Sequence, residues 1–543
     1  MSEIVAPGGP LPPIPDNMTI PQFLLDGEQH PTRPPHDPSV PWFIDGTSGT
    51  KISREMVVAR TAALAAVLKR DYNSICWFRP ANPAYTADEL KEHLAGIQLA
   101  LLVTHSTSLS VAEEIARGCG MARGRIIVLD NTSEQHTFPT VENLIADGLN
   151  APHTFIERRL NPGEGKERIA FLFFSSGTTG KPKAVAISHY AVIANLVQTA
   201  WHIEFNRDPS PYDEARYRVG DIALAVIPFF HVTGMMVLTH VYVYGGITVI
   251  ILPKFELSGF LSTIQTYRVR HLLVAPPILV LLCKHPMTAK YDISSLRCIM
   301  SGSAPLSTEI QRQFIAIVPK CSIGQGYGMT ETCSSVALSP NRQQYSENGA
   351  VGRLLVGNTA RVVKRDGSSA AIGEQGELWV RTPSAALGYY KNDEATKETF
   401  TPDGWVRTGD EVIMNRDAEI TIIDRIKELI KVKGFQVAPA ELEGVLHEHP
   451  DISDVCVVGI PDEYTGEAPR AFVVATQGAR ERMKDPWEEA KIKKSIIDHV
   501  DHRKVEYKRL TGGVQFVDAI PKNPSGKPLR RILRDQADGS GRN

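Results

Sequence analysis

The stretch Ser175-Ser176-Gly177-Thr178-Thr179-Gly180-Lys181-Pro182-Lys183 gathers hydroxyls, glycines and ammonium groups directly behind an apolar run, Phe171 to Phe174. The apolar run reads as the end of a buried strand. Glycines let a backbone fold back until its N–H groups converge on an anion, and hydroxyls and lysines add donors around the same point. The composition is that of a phosphate cradle. A Walker A loop is excluded: Gly177 and Gly180 stand too close together, and Pro182 replaces the residue that should follow the lysine on a helix. A lone Ser-Gly-Thr-Thr-Gly is an ordinary surface turn. The two lysines and the strand before them favour the anion.

A loop of this kind needs sheets behind it. At 543 residues the chain exceeds one core and implies two or more domains. With 42% hydrophobic and 22% charged residues it has the composition of a soluble globular enzyme. A net charge of −2 gives no electrostatic basis for nucleic acid or an anionic membrane as partner. The cysteines number 7, odd and scattered and never in C-x-x-C spacing, which predicts reduced thiols, an intracellular compartment and no zinc site. No secretory leader is visible, and the last residues are not Ser-Lys-Leu, so a cytoplasmic location is expected. Met235 to Leu252 is apolar enough to suggest a membrane span. His240 and Gly245-Gly246 interrupt it, and a helix, turn and strand are expected there instead, with no integral membrane segment.

Residues 1–40 are Pro-rich and read as an arm over the surface. Ser53 to Lys69 reads as an amphipathic helix, and Thr86-Ala-Asp-Glu89 has capping-box spacing for a second. Leu101 to Thr104 and Arg125 to Leu129 read as strands around a helix, Leu109 to Arg117. From Ile169 onward apolar strands alternate with helical segments, the mark of parallel sheets in an α/β protein. Past Asp424 the character becomes basic, then α+β: helices at Ala440 to His447 and Pro486 to His502, strands at Val455 to Val458 and Ala471 to Ala475. The predicted class is therefore α/β. A large domain over 41–425, of parallel-rich sheets flanked by helices, precedes a small mobile α+β domain over 426–543.

Several separated segments then resemble one family. Ser175 to Lys183, Gly326-Tyr-Gly-Met-Thr-Glu331, Gly404-Trp-Val-Arg-Thr-Gly-Asp410, Ile423-Asp-Arg-Ile-Lys-Glu-Leu-Ile-Lys-Val-Lys-Gly434 and Pro521-Lys-Asn-Pro-Ser-Gly-Lys527 occur in the order found in adenylate-forming enzymes. The chain is most similar to acyl- and aryl-CoA ligases of the 4-coumarate–CoA ligase kind, including fungal phenylacetyl-CoA-ligase-like proteins. The resemblance implies a carboxylate attacking the α-phosphorus of ATP, then CoA thiol displacing AMP, with Mg²⁺ as cofactor. It implies that Ser175, Ser176, Gly177, Thr178, Thr179 and Lys183 hold phosphates, that Thr330 bonds the α-phosphate, and that Glu331 supplies a hard oxygen to Mg²⁺. Asp410 would accept from both ribose hydroxyls. Ser303, Gln325, Gly326 and Tyr327 would line the adenine side, and Arg425 would reach the nucleotide from the hinge. Lys527 would bridge carboxylate and phosphate as charge builds at phosphorus. Lys431 and Gln436 match positions acting in thioester formation, and Lys254, Lys433 and Gly434 match the CoA side. One small domain would thus serve two steps, which requires a swivel about Lys427.

The segment Pro228-Phe-Phe-His231-Val-Thr-Gly234 matches the acyl-facing stretch, with His231 as a gate and Val232, Thr233 and Met236 as pocket wall. Amino-acid-activating relatives carry an aspartate there, and this chain has none. A mostly apolar pocket is expected, suited to an unsubstituted aryl acid or a medium-chain fatty acid. One departure stands out. Family members carry a further strand-helix unit where Arg70 to Arg79 joins two segments directly, and a βαβ unit needs roughly 30 or more residues. The loss would leave a slot in a parallel sheet: either the remaining strands close up, or the protein is poorly stable, or the sequence is a splice or gene-model variant, with chemistry residues intact and foldability in question. Two other readings are donation of the acyl-AMP to another acceptor and a non-catalytic binding protein.

Overall fold

The computed structural model describes residues 3–26, 29–73, 78–94, 97, 99–130, 137–151, 155–175, 183–205, 208, 210–211, 214–304, 306–433, 435–523 and 526–537. At its centre lie the strands Phe43–Asp45, Thr248–Ile251, Ile222–Ala225, His271–Val274, Cys298–Ser301 and Ser322–Met329, neighbours in that order and all parallel. Central strands such as His271–Val274 and Cys298–Ser301 are buried at every position, as a sheet covered on both faces requires. The sheet then turns antiparallel through Ser334–Leu338, Gly352–Leu354, Glu419–Arg425, Val406–Met414, Gln375–Arg381 and Thr359–Val363.

A second sheet, Gly388–Tyr389, Lys183–Ser188 and Ile169–Ser175, is antiparallel. Between the sheets runs the helix His189–His202, capped by Ser188 and buried from Ala191 to Ala200. A helix enclosed on all sides has no solvent face to keep polar. Its Thr199 consequently points into protein rather than water.

The N-terminal arm does more than cover surface. Ile4–Val5 adds an edge strand beside Thr359–Val363, and Met18, Ile20, Phe23 and Leu24 enter the main core. The short helix Ile20–Leu25 starts on a complete capping box of Thr19 and Gln22. Apolar residues interspersed among the prolines account for the difference from a solvated arm. Gly234–Tyr244 is helical and leads through a turn into Thr248–Ile251, and no described helix is long and apolar enough to cross a membrane.

Beside the join the strands pair sparsely. Phe78 makes a single parallel bridge to Phe171 at the edge of the second sheet, while Leu102–Thr104 and Ile126–Val128 pair apart as a two-stranded sheet. Phe78, Val103 and Leu129 are exposed. Residues 74–77, which form the join itself, lie outside the described residues.

Beyond Arg425, where Glu419–Arg425 ends, a smaller sheet forms from Ile430–Val432, Phe435–Val437 and the long hairpin Ile452–Asp462 with Gly466–Ala475. The helices Pro439–His447 and Pro486–Asp501 cover it, with Leu442, Leu446, Ile492 and Ile496 closing its core.

Candidate active site

The two sheets and the small domain enclose one cavity of about 770 Å³. Ser175 and Lys183 reach it from facing ends of a hairpin, paired across Ser175 and Lys183 themselves. Ser176, Gly177, Thr178 and Thr179 lie outside the described residues. Lys183 Nζ stands 5.0 Å from the ring centre of Tyr389. The Tyr389 hydroxyl donates to Glu331 Oε1 at 2.8 Å, and burial together with that carboxylate pushes the phenol pKa up. Glu331 and Thr330 both line the cavity.

Gly328 fits where no other residue could. A Cβ there would sit 1.6 Å from the carbonyl oxygen of Ser334, so the strand can press against its neighbour only as glycine. The same strand carries Tyr327 on the cavity wall, its hydroxyl donating to Asp410 Oδ2 at 2.7 Å. Arg425 Nε approaches Asp410 Oδ1 at 3.2 Å. Asp410 is 4% exposed and stands just behind the wall, fixed by these two partners. Ser303 lines the cavity at φ 73, a left-handed conformation uncommon outside glycine.

Lys527 comes to the same cavity from the small domain, with Arg425 and Lys427 beside it. It is tied to Asn523 by Asn523 N–H to Lys527 O and Lys527 N–H to Asn523 Oδ1, both 2.9 Å. Gly526 takes φ 83 at the turn, and a Cβ there would come within 3.1 Å of Ala275 on the large domain. Burial and the nearby Arg425 lower the Lys527 pKa to about 8, against the opposing pull of Glu428 and Asp410. Behind the loop, Arg530 pairs with Glu428 and with Glu443, the latter at 2.8 Å.

His231, Val232 and Thr233 line the cavity further along. His231 Nε2 is buried without a partner, and burial lowers the imidazole pKa. With Nε2 unpaired, the ring is free to accept or donate at that atom.

Five expected positions stand elsewhere, as does Lys254. Met236 is fully buried with its sulfur 3.9 Å from Cys333 Sγ, a core contact and no pocket wall. Gln325 turns away from the cavity to accept the Leu306 N–H at 3.0 Å, supporting the segment before the helix Thr308–Ile317. Lys431, Lys433 and Gln436 lie on or beside the hairpin Ile430–Val432 and Phe435–Val437, outside the cavity wall, and Lys433 Nζ is 3.6 Å from Glu506. Gly434 lies outside the described residues. Lys254 is exposed after the strand Thr248–Ile251. The geometric reason is common to the hairpin residues: a domain that offers the Lys527 loop to the cavity turns its opposite face outward.

Tyr389, Glu428 and Arg530 were not singled out by sequence reasoning. Tyr389 is one aromatic among many, and its role arises only where Gly388–Tyr389 pairs with Lys183–Ser188. Arg530 reads as part of a basic tail until Glu428 and Glu443 are folded against it.

Residues 53–390 match the family model described as AMP-binding enzyme, and residues 441–527 match the model for the AMP-binding enzyme C-terminal domain. The chain belongs to the AMP-binding enzyme family. It is 34% identical over 467 residues to a probable 4-coumarate–CoA ligase of Dictyostelium discoideum, covering 84% of this chain and 80% of that one. It is 35% identical over 460 residues to 4-coumarate–CoA ligase 1 of Petroselinum crispum, covering 84% and 78%. In fold it matches ATP-bound MatB from Rhodopseudomonas palustris with a TM-score of 0.78 at 24% identity, over 97% of this chain and 100% of that one. It matches an anthranilate CoA ligase holding anthranoyl-AMP with a TM-score of 0.80 at 21% identity, over 97% and 98%.

As an AMP-binding enzyme the chain is of the acid–thiol ligase class, whose members use ATP, Mg²⁺ and CoA. The donors around the cavity fit that set. No cluster of three metal-ligating side chains exists among the described residues. A cation would therefore be held by Glu331 and by phosphate and water oxygens, the usual habit of Mg²⁺.

Proposed function

We propose that the protein joins a carboxylic acid with an apolar body, aryl or medium-chain aliphatic, to CoA through an acyl-AMP. The observation that carries this is one cavity reached by Lys527 from the small domain and by Ser175, Lys183, Thr330 and Glu331 from the large one. Lys183 and the hydroxyls hold phosphate oxygens, and Lys527 neutralises the charge that builds as the carboxylate attacks phosphorus. Glu331, oriented by Tyr389, supplies the oxygen for Mg²⁺, whose chemistry is to neutralise the phosphates. Asp410, held just behind the wall by Tyr327 and Arg425, is the carboxylate assigned to the ribose side. The apolar stretch next to His231, with Ile227, Val232 and Leu273, supports an apolar acyl body.

A screen of pyrophosphate release across fatty, benzoic, phenylacetic and cinnamic acids, with and without CoA, tests the reading. Release that depends on the acid, with AMP turnover that depends on CoA, is the expected result. Acid-dependent release that CoA leaves unchanged would instead favour another acceptor, and no release with any acid would defeat the ligase assignment.

A further inference from the structure

The cavity is lined by apolar Ile227, Val237, Leu273 and Met300 and also by Arg216, Thr199 and Asn341. Arg216 bonds Ser322, the first residue of the strand Ser322–Met329, whose other end carries Tyr327 and Gly328 on the cavity wall, so Arg216 lies at the end away from the nucleotide side. Arg216 is 7% exposed. Its guanidinium donates to three neutral oxygens, Ser322 Oγ at 2.8 Å, the Pro340 carbonyl at 3.1 Å and the Gln343 carbonyl at 3.2 Å. A guanidinium has more N–H groups than these acceptors use. The nearby buried carboxylate, Asp221, is committed to His271 Nε2 at 2.8 Å and Arg297 at 2.9 Å. Among the described residues no carboxylate pairs with Arg216; the buried Cys298 thiol lies close to it, and a buried cation without a carboxylate partner lines the cavity.

Two neighbours add to this. Thr199 Oγ1 and Asn341 Oδ1 are buried with no hydrogen-bond partner. They arrive from different elements, the enclosed helix His189–His202 and the turn that Arg216 itself fastens through Pro340 and Gln343. Unpaired polar atoms and an unpaired charge are costly in a protein interior unless something satisfies them. A purely hydrocarbon acyl end would leave the Thr199 hydroxyl and the spare Arg216 N–H groups without an acceptor, whereas Asn341 Oδ1 accepts and would be met by a donor such as an ω-hydroxyl.

We infer that the substrate is an acid bearing a second oxygen acceptor, above all a second carboxylate, at the far end of its apolar body, with Arg216 reading that group and the Thr199 hydroxyl donating beside it. This rests on the ligase reading above and names the substrate class of the same cavity. An anion is favoured over a neutral acceptor because no carboxylate among the described residues pairs with Arg216, and ω-hydroxy and ω-oxo acids share the acceptor chemistry.

The test takes the parent acid that gives most pyrophosphate release in the screen. It compares that acid with its ω-hydroxy, ω-oxo and α,ω-dicarboxylic counterparts of equal length, by kcat/KM. The wild-type protein is expected to favour at least one oxygenated counterpart by about tenfold or more, the dicarboxylate most, as sites built to hydrogen-bond a polar group discriminate strongly. Arg216→Met should bring the ratio near unity, and Arg216→Lys should retain part of the dicarboxylate preference only. Thr199→Val, which leaves the Arg216 clamp on the turn in place, should reduce the ratio even if the arginine variants fail to fold. A wild-type preference for the unsubstituted parent overturns the inference, makes Arg216 a clamp for the 340–343 turn alone, and leaves the ligase reading standing. Silence with every acid would overturn both.

Discussion

A lysine whose ammonium is made easier to deprotonate by burial and by a neighbouring arginine is poised for charge that arrives only during reaction. Lys527 is in that position, its pKa lowered to about 8. Lys527→Ala should reduce acid-dependent pyrophosphate exchange by about 10²–10³-fold, the usual cost of removing a preorganised electrostatic group; exchange near wild type would remove Lys527 from the chemistry. The same shift sets a pH dependence. The cationic form is the working one, so kcat/KM for ATP should be sustained below about pH 8 and fall as pH rises through it. A profile flat to well above that value would mean the lysine acts in another way or not at all.

Elements position these groups through pairs the chain could form only on folding. Arg530, 10% exposed at its side chain, ties the Lys527 loop to Glu428 and Glu443. Arg530→Met leaves two carboxylates behind, and breaking a buried pair in this way costs about 3–5 kcal/mol. Lower thermal stability of the small domain and slower pyrophosphate exchange should appear together. The join at Arg70 to Arg79 poses the opposite question. Phe78 holds the edge of the second sheet by one bridge while Leu102–Thr104 pairs elsewhere, leaving strand edges and apolar side chains open. A chain with a strand-helix unit restored between these segments should melt several degrees higher, and equal melting temperatures would show that the slot carries no cost.

At the scale of the whole molecule, one domain arrangement is visible: the Lys527 loop lies in the cavity while Lys431 and Gln436 lie outside it. If the small domain swivels between steps, the two half-reactions should separate genetically. Lys431→Ala should leave acid-dependent pyrophosphate exchange close to wild type and slow CoA-dependent release of AMP. Equal loss in both half-reactions would argue for a single fixed arrangement. Ile426, whose N–H bonds the Gly409 carbonyl, and Asp424, which accepts from the Ala440 N–H at 3.1 Å, are the contacts such a motion must rearrange.

The sequence alone determined the alternation of strand and helix, because the burial period is written residue by residue: the Thr86–Glu89 cap forms as its spacing requires, and Ser53 starts the helix Arg54–Tyr72. It also supplied the residues now gathered at the cavity from Ser175 to Lys527, since their types and order carry the family resemblance. Tertiary structure decided what no local pattern encodes. Whether a buried polar residue serves the site or the scaffold depends on which distant element meets it: Gln325 went to Leu306, Met236 to Cys333, and Tyr389 came to Glu331. Arg216 belongs to the same class. Nothing adjacent in sequence shows that its buried guanidinium lines the cavity without a carboxylate partner, because that is a property of everything folded around it.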